Sequence, residues 1–137
     1  MPARKASYDY ALIRVVPRVE RGECLNVGVV LFCRTRGFLG ARIALDEARL
    51  LAFFPSANIE GIREELRAIA KIAEGDPSAG PIAALSQAER FHWLVSPRST
   101  IVQPSPVHSG LCDNPAAALE HLFQTIVLLP PSAGDEV

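Results

Sequence analysis

A chain of 137 residues, 49% hydrophobic and 21% charged, has the length and the apolar content for one buried core, and is too apolar to be disordered. Its formal net charge of −1, from 14 basic and 15 acidic residues, lacks the basic excess that phosphate neutralisation calls for, which disfavours a nucleic-acid binder. No run approaches the roughly 18 apolar residues of a membrane span.

The opening Met1-Pro2-Ala3-Arg4-Lys5 is basic but precedes no apolar run of the signal-peptide kind. The three cysteines, Cys24, Cys33 and Cys112, are odd in number and lack a close pair, so neither a disulfide framework nor a zinc site is expected. Buried reduced thiols and a cytoplasmic location follow. One domain over residues 1–137 is expected, with an ordered core at about 7–129 between flexible ends.

In chain order, residues 8–16 (YDYALIRVV) are β-branched and aromatic enough for a strand closed by Pro17. Residues 24–33 (CLNVGVVLFC) are the strongest strand signal. Strict alternation there gives Leu25, Val27, Val29 and Leu31 one unbroken apolar face and sets Asn26 and Gly28 side by side on the other. After a hairpin at 34–37, residues 38–45 supply a third strand. Such short connections predict an antiparallel meander.

Asp46 is placed to cap a short helix ending at Phe54, and Ser56 or Asn58 the next one. There Ile59, Ile62, Leu66, Ile69 and Ala73 recur at spacings of three and four, a single buried seam, with Gly75 as C-cap. Ser86 and Glu89 fit a capping box opening a helix to about Leu94. The proline-punctuated stretch after Pro97 reads as extended, with residues 100–103 joining the sheet at an edge or, alternatively, in its middle. Asp113 or Asn114 caps a final helix with Pro115 in its first turn. Its buried stripe is Leu119, Leu122, Phe123, Ile126 and Val127, and Pro130-Pro131 end it before a frayed tail. The fold class is therefore α+β: an antiparallel sheet of three to four strands with helices packed on one face.

Several polar groupings invite a functional reading. Glu23 and Asn26 can present a carboxylate and an amide at a strand entrance beside Gly28, although their parity sends them to opposite faces. The segment 98–113 gathers Arg98, Ser99, His108, Ser109 and Asp113 with little helix, and such loops collect binding groups. An anion site there would combine Arg98 with the N-terminus of the last helix, against which Asp113 both fills the cap and repels the anion. Ser109, His108 and Asp113 are the residue types of a hydrolytic triad, but neighbours in extended chain point apart and no nucleophile elbow is present. His92 and His121 lack metal-ligand spacing, and Phe91 and Trp93 read as core. Arg34, Arg36 and Arg42 read as keeping a hairpin tip soluble. With no phosphate-binding glycine loop and no dinucleotide fingerprint, no cofactor is expected.

Two blocks, RGE-x-x-NVGVVLF at 21–32 and RSTIVQPSPVHSG at 98–110, with a last helix ending LFQTIVL, resemble the bacterial domain-of-unknown-function family 3037 over residues 8–128. The resemblance implies no activity and no catalytic residues. It implies a partner or regulatory role beside kinases similar to the HipA-type serine/threonine kinases.

Two functions from different classes follow. One is a non-enzymatic protein-binding or regulatory module using the sheet edge or the 98–110 stretch, with homodimerisation through an open edge as one form. The other is an enzyme or small-ligand binder acting on a phosphate- or carboxylate-bearing ligand through Glu23, Asn26, Arg98, Ser99, His108 and Ser109.

Overall fold

The computed structural model describes residues 5–128. Pro130, Pro131 and the tail expected after them lie outside the described residues.

Strands β1 (Ala6–Val15), β2 (Leu25–Cys33) and β3 (Phe38–Ile43) form the antiparallel meander that their short connections predict. Two late strands, β4 (Val102–Pro104) and β5 (His108–Cys112), pair antiparallel with the free side of β1, one after the other. The sheet therefore runs β3-β2-β1, then β4 and β5 end to end along its other edge. The extended stretch joins at the edge and not in the middle. Its prolines decide this, because a residue without an N–H cannot sit in a two-sided ladder.

The helices are α1 (Glu47–Phe53), α2 (Ile59–Glu74), α3 (Gln87–Leu94) and α4 (Pro115–Leu122). Each begins at a side chain that accepts an otherwise orphaned N–H: Asp46 from Arg49, Asn58 from Gly61, Ser86 from Glu89, and Asn114 from Ala116 and Ala117. Asn58 and Asn114 thus settle the two open choices of cap. The seam of α2 is buried at Ile62, Leu66, Ile69 and Ala73, with Ile72 added and Ile59 only partly covered. After α4 the chain widens into a π turn (Phe123–Val127), in which the Leu128 N–H bonds the Phe123 carbonyl.

The expectation of helices on one face holds for α1 to α3, whose apolar sides meet Ala11, Ile13, Val15, Val30 and Phe32 of the sheet. The final helix lies on the other face, where Leu119, Phe123 and Val127 cover Leu12, Val29, Leu31 and Cys33. Coverage on both faces explains why β2 reads as an almost continuous apolar run.

Strict alternation fails inside β2. Ile13 pairs with Gly28 whereas Arg14 pairs with Asn26, so Val27 is an extra residue and the strand bulges there. Leu25 and Val27 consequently share a cluster with Val30 and Phe32, while Val29 and Leu31 face α4. The unbroken odd-numbered face does not form, and Asn26 and Gly28 part company. Gly28 sits between Ile13 and Ile43, and a Cβ there would come within 2.9 Å of the Arg42 carbonyl oxygen. Its glycine serves close packing.

Candidate functional site

The late edge of the sheet is built by a serine between two prolines. Ser105, 3% exposed, takes the Leu12 N–H on its hydroxyl oxygen at 2.8 Å and sends its own N–H to the Leu12 carbonyl at 2.8 Å. Its hydroxyl proton goes to the Pro106 carbonyl at 2.8 Å. The side chain stands in where the backbone jogs: Ser105, Pro106 and Val107 lie opposite only Ala11 and Leu12. This repair lets pairing resume as β5.

In β5 the side chains alternate. Ser109 points to one face and donates to Asp9 Oδ1 at 2.7 Å. His108 points to the other, its ring 5.5 Å from that of Tyr10. Gly110 lies under Tyr8, where a Cβ would be 2.6 Å from the phenol carbon and oxygen, so the ring occupies the glycine's side-chain space. Burial, then the neighbouring Tyr10 and Cys112, raise the Tyr8 phenol above its ordinary pKa of 10.0. Leu111, on the same side as Ser109, is 66% exposed, and Val107, just before β5, is 45% exposed. Among the described residues β5 pairs with β1 alone, which leaves its outer side as a free edge.

Arg98 occupies a separate place, a groove of about 440 Å³ between α2 and the end of α3 lined by Glu65, Ile69, Trp93 and Thr100 among others. Its guanidinium lies 4.3 Å from the Trp93 ring and donates to the Trp93 carbonyl at 3.1 Å. Burial lowers the pKa of Arg98, with the Glu65 carboxylate opposing. Glu65 Oε2 is itself buried and has no hydrogen-bond partner among the described residues. Ser99 follows Arg98 in the exposed chain that leads to β4.

Glu23 lies elsewhere again. It pairs with Arg21, whose pKa it raises, at the mouth of a cleft of about 290 Å³ that includes Arg18, Phe53 and Phe54. Asn26 belongs to a row across three strands, Asn26, Arg14 and Gln103, on the face covered by α4. Arg14 Nε in this row is buried without a hydrogen-bond partner among the described residues.

The six residues are therefore not brought together. Only His108 and Ser109 share an element, and they point to opposite faces. Ser109 turns to Asp9 and not to His108, and Asn114 takes the first N–H groups of α4 that an anion would need. The hairpin arginines also have uses inside the fold. Arg42 pairs with Glu120 at 3.3 Å and lies over Phe123, and Arg36 donates to the Asp113 carbonyl at 2.8 Å. Sequence reasoning missed β5 itself and the exposure of Val107 and Leu111. The readable signal was the period-2 spacing of Val107, Ser109 and Leu111, masked by His108 and Gly110, which are poor strand formers.

No curated protein and no solved structure matches the chain. A family model described as "Protein of unknown function (DUF3037)" matches residues 10–127, including β1 to β5 from Tyr10 onward and all four helices. That span is most of the chain, and the protein belongs to this family.

Proposed function

We propose that this chain is a non-enzymatic protein-binding module that takes an extended segment of its partner along the outer side of β5. The observation that carries this reading is an edge strand with exposed Leu111, preceded by exposed Val107, and no Asp, Glu, Lys or Arg from 107 to 112. Edges that must stay unpaired usually carry lysine, proline or an inward charge. Strand addition would draw affinity from main-chain hydrogen bonds and selectivity from alternate side chains such as these two. The scatter of Glu23, Asn26, Arg98 and His108 supports binding over catalysis, which needs convergent groups.

The partner is a kinase similar to the HipA-type serine/threonine kinases, which the family resemblance puts first, met in a reducing cytoplasm that keeps Cys24, Cys33 and Cys112 as thiols. Affinity purification of the tagged chain and of its Val107→Lys/Leu111→Lys variant tests the reading. A kinase-like protein at stoichiometric yield with the parent, absent with a folded variant, supports it. Equal recovery with both sinks it.

A second reading rests on the groove at Arg98. A guanidinium stacked on Trp93 and an unpartnered buried oxygen of Glu65 suit a ligand carrying an anionic group and a hydrogen-bond donor. Trp93 is the sole tryptophan, so its fluorescence reports occupancy directly. Titration with inorganic phosphate and with acetate should shift that emission in the parent and not in Arg98→Ala. A flat response in both removes this reading.

A further inference from the structure

We infer that in the free protein the outer side of β5 is occupied by a second copy of the same strand, in an antiparallel pair whose two-fold axis passes through Ser109. This rests on the reading of β5 as the docking edge and names what fills it when no other partner is bound.

The residues are arranged for self-pairing. A two-fold at Ser109 brings Val107, just before β5, opposite the second copy's Leu111, so that these exposed apolar side chains, 45% and 66% accessible, meet across the pair. On the other face His108 falls opposite the second copy's Gly110, whose side-chain space the Tyr8 ring already fills, so the imidazole meets that ring. Pro106 then meets Cys112 and ends the ribbon, because it has no N–H to extend the ladder. The pairing is thus confined to residues 107–111.

Charge does not oppose it. The nearest like pair is Asp9 with its counterpart, one strand inward on each side. Three interstrand spacings separate them by about 14 Å, beyond the Debye length of about 8 Å at physiological salt. Asp9 is also held by the Ser109 hydroxyl.

The contact is short. A five-residue ribbon falls below the roughly 1,200 Å² that stable complexes bury, so the dimer is weak and forms with rising concentration. A protein partner with a longer strand competes for the same edge and displaces the second copy.

The test uses the full chain with Cys24→Ser to remove the exposed thiol. Sedimentation over a concentration series is paired with cross-linking of Ser109→Cys by a short bis-maleimide, with Glu74→Cys at the end of α2 as control. The expected result is a concentration-dependent dimer that cross-links through Ser109→Cys, not through Glu74→Cys, and is lost on adding Leu111→Lys. A monomer at every concentration, or a dimer indifferent to Leu111→Lys, overturns the inference. In either case kinase capture that still fails with Val107→Lys/Leu111→Lys keeps β5 as the docking edge and removes only the second copy. Capture that survives removes both.

Discussion

At Ser105, two prolines deny the edge strand its regular ladder, and one hydroxyl restores it by accepting the buried Leu12 N–H. Removing that oxygen leaves a buried donor unpaired, at a cost of about 1–3 kcal/mol. Ser105→Ala should therefore lower the urea midpoint without changing the slope of the transition. Gly110 makes a complementary case: a methyl group there meets the Tyr8 ring at 2.6 Å, so Gly110→Ala should cost about 1–3 kcal/mol through overpacking and loosen β5 first. Tyr8 also sets a pH dependence. Its phenol is raised above 10.0, so the folded state holds that proton more tightly than the unfolded chain. The associated stability is complete below pH 10.0 and falls as pH climbs through the folded-state value. Alkaline unfolding curves of Tyr8→Phe should lack this component, and an unchanged curve would remove Tyr8 as its source. Caps such as Asp46 and Ser86 were legible because they precede a periodic apolar run. Ser105 was not, since a serine between prolines reads the same in a loop as in a repaired strand.

Among the elements, α2 was the easiest to read, because a helix buried on one side carries its period in its own residues. The strand β2 was legible as a strand but not in its facing. Alternation cannot reveal a bulge, and the extra residue Val27 reverses which side chains meet α4. That reversal also removed the cue for where α4 packs, since an apolar run such as 27–33 fits either face. The final helix holds its face of the sheet through Leu119, Phe123 and Val127, one turn apart along the chain. Phe123→Ala should cost about 3–5 kcal/mol and remove the ring beneath the Arg42 guanidinium. Measured by chemical denaturation, a loss under about 1 kcal/mol would mean that α4 is docked by other contacts. Of the candidate site, the segment 98–110 was legible as a polar, extended stretch, whereas its division into a groove at Arg98 and an edge at β5 depends on the jog at Ser105.

Taken as a whole molecule, the fold covers both faces of its sheet, and among the described residues β5 is an edge strand without Asp, Glu, Lys or Arg. Net charge near zero gives no long-range steering toward a polyanion, and among the described residues no helix is long and apolar enough to cross a membrane. Protein recognition through main-chain pairing is the role that such an architecture supports best. Hydrogen–deuterium exchange, read on the peptide spanning residues 107–112 in dilute free protein and in complex with the proposed kinase-like partner, tests this most directly. The account predicts amides in β5 that exchange readily when free and become strongly protected on binding, while α2 and α3 around Arg98 hardly change. Protection confined to the Arg98 groove, with β5 exchanging as before, would contradict it.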